Sequence, residues 1–415
     1  MRYGLLFYLG NIFYTKYYIQ DTKYRFMIKY LSSGNLKKFA GKTCLLRIDL
    51  NVEIGMPLDS YRLESIIPTI QLLLKNNIRV VIMSHRGRPV LKLEGQMKGM
   101  KDDWDFDKGN RELSLSPFTK LLAKKIIEPV CFIPYEKSFM LDKKKFLTEH
   151  RERVFLLENL RFYSGEEAND DRFGEFLSKW GDFYVNDAFA VSHRADASIA
   201  AITKFLPSYA GLLLEKEVKN LNKVMKGSDH PFTVIMGGAK VSDKLGVVRY
   251  FWKRADDFLI GGSPANTFLE AEGMDVGDSL VDTDAVPMIL PYLNAKKIHL
   301  PEDVKYRSTK ILDVGPKTVK AYAEMIRRSK TIVWNGPMGW FERKGFGNGT
   351  RGIWKAILGN KKAHIVVGGG ETVTSLRTLY PKRCLPGSNI FLSTGGGAML
   401  DYLSGKKLPG IEALK

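Results

Sequence analysis

The sequence predicts an α/β protein built on parallel sheets with helices on both faces, and three observations support this class. Four short apolar runs in the second half of the chain each end in a glycine turn. Comparable apolar runs in the first half each end in charged or amide residues. A chain of 415 residues is also long enough for two domains of ordinary size. We therefore expect doubly wound parallel sheets in two domains.

The glycine turns are the strongest of these signals. The stretch PFTVIMGGAKVSDK predicts a buried strand, a two-glycine turn and a lysine-rich segment. Glycines let backbone amides approach a ligand closely, and lysines add positive charge. The four segments of this kind are 231–244, 256–268, 330–342 and 364–375. Such turns along one sheet edge indicate a nucleotide site. None is a Walker A loop, which argues against a common P-loop ATPase.

Composition narrows the classes of function. The chain is 44% hydrophobic and 26% charged, which is typical of a globular protein. The three cysteines, Cys44, Cys131 and Cys384, are far apart and lack metal-ligand spacing, so we expect no disulfide framework, no zinc site and a reducing, cytoplasmic location. The net charge is +19, but the sequence contains no dense basic run with interleaved aromatics. It therefore favours small anionic ligands over nucleic acid or a membrane.

Residues 1–26 form a separate, aromatic-rich segment. Its apolar run is broken by Asn11, Thr15 and Lys16, well short of the roughly 18 apolar residues that span a bilayer. No small-residue cleavage site follows the apolar part, so it fits a signal peptide poorly. We interpret it as an extension outside the fold, with Met27 beginning a more ordinary amino terminus.

Charged residues accompany the first strand and the first long helix. The pattern CLLRIDLNV predicts a strand with Arg47, Asp49 and Asn51 on one face, where they need partners. A helix is expected over 62–76, with Arg62 in its first turn. A cation there is opposed by the helix dipole, which indicates contact with a ligand. A solvated arginine remains the alternative.

The other strand ends of the first half supply more polar and cationic side chains. These are His85, Arg88, Asn159, Arg161, Asn186, Asp187, His193 and Arg194. Because strand ends of one parallel sheet lie along one edge, we expect the histidines and arginines to converge with Arg62. A cluster of this sign suits a small, multiply charged anion. The polar stretch 90–113 has no clear period and is expected to be a surface loop.

An amphipathic helix is predicted over 211–227, with Leu214, Val218 and Leu221 on one stripe. It separates the half with charged strand ends from the half with glycine turns. The expected organisation is a first domain over 27–210, a linking helix over 211–226, a second domain over 227–400 and a carboxyl-terminal segment over 401–415.

Taken together, the motifs resemble those of the phosphoglycerate kinase family. In family order they are RIDLN, SHRGRP, LLENLRF, VSHRADAS, GGAKVSDK, DVGPKT, WNGPMGWFE, FGNGT, GGGET and STGGGAMLDYLSGKKLPG. The resemblance runs from about Lys38 to the carboxyl terminus. It implies two Rossmann-like domains joined by a helix, a carboxyl-terminal tail that crosses back to the first domain, and a monomer. It also implies phosphoryl transfer between 1,3-bisphosphoglycerate and MgADP, giving 3-phosphoglycerate and MgATP.

The resemblance further implies roles for individual residues. The triose would be bound by Asp49, Asn51, Arg62, His85, Arg88, Arg161, His193 and Arg194. The nucleotide would be bound by Gly238, Lys240, Lys244, Gly261, Gly262, Asn335, Pro337, Glu342, Gly369, Gly370, Glu371 and Thr372. The catalytic residues would be Arg62, Lys240, Gly370 and Thr372, and Glu371 would hold Mg²⁺. The carboxylate nucleophile is already ionised at neutral pH, so the reaction needs positioning and positive charge and no general base.

Four residues depart from the family's usual pattern. Glu371 replaces a magnesium-ligating aspartate and Asp196 replaces a histidine, while Arg86 and Pro264 each replace an apolar residue. Glutamate is also an oxygen ligand but reaches one methylene further, so we expect the metal role to survive with altered geometry. The departures leave open a catalytically impaired relative that binds nucleotide or nucleic acid.

A nicotinamide-dependent dehydrogenase is a further alternative, because the GFGNGT stretch at 345–350 superficially resembles a dinucleotide fingerprint. The stretch lacks the third glycine at the required spacing and follows a polar loop where the fingerprint follows a strand. The sequence therefore disfavours this class.

Overall fold

The computed structural model describes residues 28–52, 57–89, 108–134, 138, 141–380 and 387–415. The interpretation of residues 1–26 lies outside these ranges, as does most of the loop expected at 90–113. The end of that loop is described and is more ordered than expected, because Lys108–Leu113 form a 3₁₀-helix. Leu113 packs over Gly87, so a Cβ on that glycine would lie 2.5 Å from the leucine Cδ2.

The first sheet contains six parallel strands within the described ranges. In spatial order they are β3 (Val130–Ile133), β4 (Val154–Leu157), β2 (Arg79–Met83), β1 (Thr43–Arg47), β5 (Phe183–Asn186) and β6 (Ser208–Ala210). Strand β1 pairs with β2 on one side and β5 on the other. Strands β2, β3 and β4 lie on one side of β1, and β5 and β6 lie on the other. The strand order therefore reverses between β1 and β5, which opens a crevice beyond their carboxyl ends.

The second sheet has the same construction over the described residues. In spatial order its strands are β14 (Ile390–Leu392), β13 (His364–Gly368), β12 (Thr331–Asn335), β7 (Phe232–Met236), β8 (Asp257–Ile260) and β9 (Ile298–His299). An antiparallel hairpin, β10 (Val304–Arg307) and β11 (Lys310–Val314), lies outside the sheet. Here the reversal falls between β7 and β12. The predicted α/β class with two doubly wound parallel sheets is confirmed.

Helices cover both faces of the sheets, which is why the strands are continuous apolar runs. In the first half the helices are Ser33–Lys38, Pro57–Lys75, Phe118–Ile126, Lys143–Glu149, Ser164–Glu167 and Asp171–Ser178. A helix over Leu212–Lys226, here called the linking helix, follows β6. The later helices are Leu245–Phe251, Gly262–Ala271, Val286–Ile289, Pro316–Arg328, Asn348–Gly359, Gly370–Leu379, Gly396–Leu403 and Pro409–Glu412. Further 3₁₀-helices are Leu160–Phe162, Phe189–Val191, Ala201–Lys204, Ser242–Lys244, Thr283–Ala285 and Leu290–Tyr292.

Two local predictions in the first half are wrong. Strand β1 ends at Arg47, so Asp49 and Asn51 lie in the loop that follows and not on a strand face. The next helix begins at Pro57, which is favoured at a first helical position, so Arg62 lies in the second turn. The dipole effect is confined to the first turn, so it does not explain the position of Arg62.

Buried carboxylates tie the linking helix to both sheets. Asp187, directly after β5, accepts hydrogen bonds at Oδ1 from two N–H groups in the first turn of the helix, at 2.8 and 3.0 Å. Glu217 accepts at Oε1 from the N–H and hydroxyl of Thr394, at 2.6 and 2.8 Å. Thr394 lies just beyond β14. The helix is therefore fixed to the end of a strand in each sheet.

The carboxyl-terminal segment returns to the first half of the chain. The Gly410 N–H donates to the Ser192 carbonyl at 2.9 Å, and the Asn186 side-chain amide donates to the Gly410 carbonyl at 3.2 Å. The Lys29 N–H donates to the Leu414 carbonyl at 3.3 Å. None of the helices in the described ranges has the length and apolarity that crossing a membrane requires.

Candidate functional site

Polar and cationic side chains line the carboxyl ends of β1, β2, β4 and β5, and we call this set the charged edge. Its members are Asp49, Asn51, Arg62, His85, Arg88, Arg161, His193 and Arg194. Apart from Arg62, they lie in the segments that follow strands of the first sheet, so the parallel topology places them along one border. Arg62, on the helix after β1, reaches this border beside Asp49. The strand ends that sequence analysis singled out in this half do lie on one sheet edge.

Arg62 is oriented by the loop after β1. Its NH1 donates to the Asn51 carbonyl at 3.1 Å and lies 3.7 Å from Oδ2 of Asp49. The Asn51 side chain in turn accepts the N–H of Gly87 at 2.9 Å, which joins this loop to the one after β2. The Nε of Arg62 is buried and has no hydrogen-bond partner among the described residues. The guanidinium therefore keeps a donor available for an anion.

His85 is a buried, neutral hydrogen-bond donor. The NH2 of Arg47 donates to its Nδ1 at 3.0 Å. Because arginine only donates, Nδ1 must be unprotonated, and the neutral ring carries its proton on Nε2. Burial lowers the pKa of His85 well below its usual value, and the charges of Arg47, Arg194 and Arg62 lower it further. This donor does not change its charge near neutral pH.

Arg47 is fully buried below the charged edge and is held by a polar network. Its Nε donates to Oγ of Ser198 at 2.9 Å, and its NH2 lies 3.9 Å from Oε1 of Glu166. Ser198 also donates to Glu166 through its hydroxyl at 2.5 Å. Burial raises the pKa of Glu166 to about 7, and the charge of Arg47 acts in the opposite direction. This network supplies the partners that a charged residue on an apolar strand requires.

Arg161 follows β4 and is buried. Its NH1 donates to the Gly87 carbonyl at 2.5 Å, and its Nε lies 3.2 Å from Oε1 of Glu167. Its NH2 is buried and makes no hydrogen bond within the part of the chain that the structure describes. Arg88, by contrast, is exposed to solvent. The edge thus combines fixed, partly unpaired arginines with one exposed arginine.

His193 and Arg194 occupy the loop after β5 and approach the second half of the chain. The Nε2 of His193 lies 4.0 Å from the position that a Cβ on Gly397 would occupy. Asp196, two residues after Arg194, is buried. Burial raises the pKa of Asp196, while the charges of Arg47 and Arg194 lower it. The unusual aspartate therefore lies among mixed charges, because Glu166 and Glu167 are also near it.

The other two unusual residues of the sequence have structural explanations. The guanidinium of Arg86 donates to the Glu112 carbonyl at 2.6 Å and lies 5.6 Å from the Phe118 ring centre. Pro264 is the third residue of the helix that starts at Gly262, where a backbone N–H has no partner within the helix.

The charged edge also meets the second half directly. One pocket is lined by Asp49, Arg62 and Asp187 together with Thr394, which follows β14. On the helix that carries Arg62, the hydroxyl of Tyr61 donates to the Leu392 carbonyl at 2.5 Å. These contacts bring the second half of the chain against the helix that carries Arg62.

Glycine turns form the matching border of the second sheet, and we call this set the glycine edge. Its members are Gly238, Lys240, Lys244, Gly261, Gly262, Asn335, Pro337, Glu342, Gly369, Gly370, Glu371 and Thr372. They follow or end the adjacent strands β7, β8, β12 and β13. The reversal of strand order between β7 and β12 lies at the centre of this edge.

The turns after β7 and β12 are in backbone contact. The Gly237 N–H donates to the Asn335 carbonyl at 2.9 Å, and the Gly238 N–H donates to the Pro337 carbonyl at 2.8 Å. Gly238 and Gly336 have φ angles of +81° and +91°, a conformation that favours glycine. A Cβ on Gly336 would lie 2.1 Å from the Gly237 oxygen. Only glycine fits this contact.

The turn after β8 closes against the same place. A Cβ on Gly261 would lie 2.7 Å from Sδ of Met338, and a Cβ on Gly262 would lie 2.7 Å from the backbone nitrogen of Gly238. Gly262 also has a φ of +58°. Three strand ends therefore meet mainly through backbone atoms, with the Met338 side chain beside Gly261, and we call the surface at this junction the slot.

The turn after β13 adds a helix amino terminus. Gly369 has a φ of +92°, and a Cβ there would lie 2.9 Å from Nδ2 of Asn335. Gly370 begins the helix Gly370–Leu379, and Thr372 in its first turn accepts the Gly336 N–H at Oγ1, at 2.7 Å. The first backbone N–H groups of a helix attract anions.

Two lysines of different character lie beside these turns. Lys240 is exposed, and its side chain forms no hydrogen bond or ion pair with any described residue. Lys244 is buried, and its Nζ donates to the Lys240 carbonyl at 3.0 Å. Burial lowers the pKa of Lys244, and the charges of Asp243, Glu371 and Asp282 raise it.

Glu371 and Glu342 are exposed carboxylates at this edge. Burial raises the pKa of Glu342, and the charge of Glu371 raises it further. In the described ranges no group of three or more His, Cys, Asp or Glu residues could hold a metal ion by itself. Magnesium usually takes one or two carboxylates and completes its shell with water and phosphate oxygens. Glu371 fits that limited role.

Sequence analysis did not single out several residues that support the site. Ser198 and Glu166 hold Arg47, and Glu217 fixes the linking helix. The one available signal was a charged residue in an apolar pattern, as for Glu217 on the buried face of its helix. Partners that lie far away in sequence leave no such signal.

Comparison with family models and with curated proteins points to the same family. A family model described as "Phosphoglycerate kinase" matches residues 35–406. Among curated proteins, phosphoglycerate kinase from Dictyoglomus turgidum is 38% identical over 402 residues, covering 90% of this chain and 96% of that protein. Phosphoglycerate kinase from Finegoldia magna is 38% identical over 403 residues, with the same shares covered.

Solved structures agree with the sequence comparison. The chain is similar to phosphoglycerate kinase from Coxiella burnetii, with 32% identity, a TM-score of 0.73, and coverage of 93% of this chain and 98% of that one. For phosphoglycerate kinase from Pyrococcus horikoshii OT3 the identity is 30% and the TM-score 0.75, with 91% and 96% covered.

Proposed function

This chain belongs to the phosphoglycerate kinase family, and we propose that its charged edge binds the triose while its glycine edge binds the nucleotide. The reaction is reversible phosphoryl transfer between 1,3-bisphosphoglycerate and ADP, giving 3-phosphoglycerate and ATP. The observation that carries the proposal is the separation of the two edges, one rich in unpaired cationic donors and the other in backbone turns. Each edge lies on its own parallel sheet.

The charged edge suits a small carboxylate with a phosphate group. Arg62 and Arg161 each keep a buried N–H group without a hydrogen-bond partner among the described residues. His85 presents a neutral Nε2–H, and Arg88, His193 and Arg194 extend the edge. Asp49 and Asn51 orient Arg62 and offer acceptors for the hydroxyl of the triose. Buried donors of this kind gain most from an anion that pairs them.

The glycine edge suits a nucleoside phosphate. The slot formed by Gly238, Gly261 and Gly262 has backbone walls, against which a flat base can pack. Asn335, Pro337 and Glu342 continue the slot on the β12 side, toward the ribose. The helix terminus at Gly369 and Gly370, with Lys240 and Lys244, supplies positive potential for phosphates.

Positioning and charge carry out the transfer. The attacking carboxylate of 3-phosphoglycerate is ionised at neutral pH, so no residue needs to remove a proton. Lys240, Arg62 and the N–H groups at Gly370 and Thr372 surround the phosphoryl group and stabilise the charge that spreads over its oxygens. Glu371 would hold Mg²⁺, which when bound neutralises charge on the nucleotide phosphates.

The two edges belong to different domains in this proposal. The first domain covers 27–210, the linking helix 211–226 and the second domain 227–400, while residues 401–415 pack back on the first domain. Arg62 lies in the first domain and Lys240 in the second, yet both must reach the same phosphoryl group. Transfer therefore requires the domains to close, which also excludes water from the acyl phosphate. By resemblance, the enzyme acts as a cytoplasmic monomer.

A coupled assay with 3-phosphoglycerate, ATP and Mg²⁺ tests the proposal. We expect turnover that depends on all three components. Binding of ADP without any turnover would support the impaired relative instead, and a requirement for a nicotinamide would support a dehydrogenase.

A further inference from the structure

Asp282, which is not a member of the glycine edge, contacts the turn that carries Lys240 and Lys244, here called the lysine turn. The Oδ2 of Asp282 accepts the N–H of Ser242 at 3.0 Å. Ser242 begins the 3₁₀-helix Ser242–Lys244, between Lys240 and Lys244 in the chain. This hydrogen bond is the main cause that lowers the pKa of Asp282, and the charge of Lys240 acts in the same direction. The carboxylate therefore stays ionised while it holds the turn.

Asp282 is itself fixed by neighbouring backbone and side chains. Its N–H donates to Oγ1 of Thr267 at 3.0 Å, and its carbonyl accepts the N–H of Ala285 at 3.0 Å. Thr267 is fully buried, and its hydroxyl donates to the Ser263 carbonyl in the first turn of the same helix. A chain of hydrogen bonds thus runs from the helix after β8, through Asp282, to the lysine turn after β7.

The lysine turn needs such a support. Gly237 and Gly238 precede it, and glycine restricts the backbone least of all residues. Lys240 forms no side-chain hydrogen bond or ion pair in the described ranges, so the path of the backbone sets the point from which its ammonium group extends. Val241 is fully buried and anchors the inner side of the turn. Asp282 anchors the outer side.

The negative charge of Asp282 does not explain why a carboxylate lies beside the lysine turn. A carboxylate near Lys240 and Lys244 repels the phosphates that these lysines attract. The useful interaction is therefore the hydrogen bond to Ser242. We propose that Asp282 is a positioning residue for phosphoryl transfer, which holds the backbone of the lysine turn so that Lys240 and Lys244 meet the phosphates. This inference rests on the proposed function.

The test compares Asp282→Ala, Asp282→Asn and Asp284→Ala, after the unmodified enzyme has been shown to turn over 3-phosphoglycerate and ATP. Failure of that first step would contradict the proposed function and not this inference. Turnover is expressed per ADP site counted by calorimetry, so that misfolded protein does not enter the comparison. Asp284 is an exposed carboxylate two residues away and serves as the matched control.

We expect Asp282→Ala to lower kcat by about tenfold, because small displacements of catalytic groups carry large costs. The KM for 3-phosphoglycerate should stay unchanged, since the charged edge lies elsewhere. Asp282→Asn should restore most of the activity, because its amide oxygen can accept the same N–H, and Asp284→Ala should match the unmodified enzyme.

Two results would overturn the inference. One is an Asp282→Ala enzyme with unchanged kcat per site. The other is an Asp282→Asn enzyme as impaired as Asp282→Ala, which would assign the effect to charge. If Asp282→Ala does not fold, Thr267→Val supplies the test, because it removes the hydroxyl that fixes Asp282 and keeps the shape of the side chain. Unchanged kcat in folded Thr267→Val would then contradict the proposal.

Discussion

In the proposed function the charged edge and the glycine edge both bind an anion, but they use different parts of the chain to do so. At the charged edge, protein partners orient His85, which is buried, and Arg62, which is half-buried and keeps a buried Nε without a partner among the described residues. At the glycine edge, backbone turns meet each other at Gly238 and Gly336, and the cation at Lys240 is exposed. The first edge depends on side-chain chemistry and the second on the absence of side chains. Substitutions should therefore affect the two edges in different ways.

The largest effect is expected from Arg62→Ala. Removal of one preorganised donor to a transition state costs on the order of 3 kcal/mol, so kcat should fall by roughly 100-fold or more. The KM for 3-phosphoglycerate should change far less, because the other cations of the charged edge remain. Steady-state kinetics checks this, with Lys75→Ala, an exposed cation in the last turn of the same helix, as the control. A rise in KM at unchanged kcat would show that Arg62 binds the ground state and the transition state equally, which would contradict this role.

Gly262→Ala tests the backbone character of the glycine edge. A Cβ there would lie 2.7 Å from the Gly238 nitrogen, so the slot must distort. The affinity for ADP should fall by about tenfold or more, while the affinity for 3-phosphoglycerate stays the same. Gly273→Ala is the matched control, because Gly273 also has a positive φ, +84°, but no atom lies within 4 Å of its Cβ position. Equal loss of ADP affinity in both variants would contradict the account.

Glu371 distinguishes the metal contribution at the glycine edge from the backbone contribution. Glu371→Gln should raise the Mg²⁺ concentration required for half-maximal activity by roughly tenfold, the scale on which metal sites respond to a lost supporting group. Glu371→Asp should retain activity, because it keeps a carboxylate ligand. Calorimetry of ADP with and without Mg²⁺ gives a second measurement. Equal Mg²⁺ dependence in Glu371→Gln and the unmodified enzyme would place the metal on other groups.

The linking helix belongs to neither edge, and its carboxylate should show a smaller, pH-dependent effect. Burial raises the pKa of Glu217 to about 7, although hydrogen bonds from Thr394 act to lower it. A raised pKa in the folded state means that stability is present at low pH and is lost as pH rises through about 7. Between about pH 4.5 and about pH 7 the contribution of Glu217 to the free energy of unfolding should therefore fall, by roughly 1–3 kcal/mol, and it should level off above that range.

Chemical denaturation of the unmodified protein and Glu217→Gln checks this sign. The slope of stability against pH should be shallower in the variant, because glutamine does not titrate. An identical slope in both proteins would show that Glu217 titrates at its ordinary pKa.

Sequence periodicity and glycine turns were sufficient to predict the two parallel sheets and the strand ends that border each edge, whereas residues such as Asn335 and Glu342 were named only through the family resemblance. Local boundaries were less predictable. The helix that carries Arg62 starts five residues early, at Pro57, because its first turn has no apolar stripe to mark it. Asp49 and Asn51 lie beyond β1, because a polar loop can continue the alternation of a strand.

Long-range polar partners could not be predicted at all. Asp282 contacts Ser242 across 40 positions, and Glu217 contacts Thr394 across 177. Neither partner stands in a pattern that specifies the other, so only the three-dimensional fold reveals the pair. Hydrogen bonds of this kind matter most at the glycine edge, because there the backbone itself forms the candidate site.

Small-angle X-ray scattering with each ligand alone and with both together tests the central claim most directly. The claim is that the two edges bind their ligands on separate domains and react only after closure. We predict that the radius of gyration decreases when 3-phosphoglycerate and a non-hydrolysable MgATP analogue are both present, and that neither ligand alone produces the full decrease. Full compaction with one ligand, or none with both, would contradict the account.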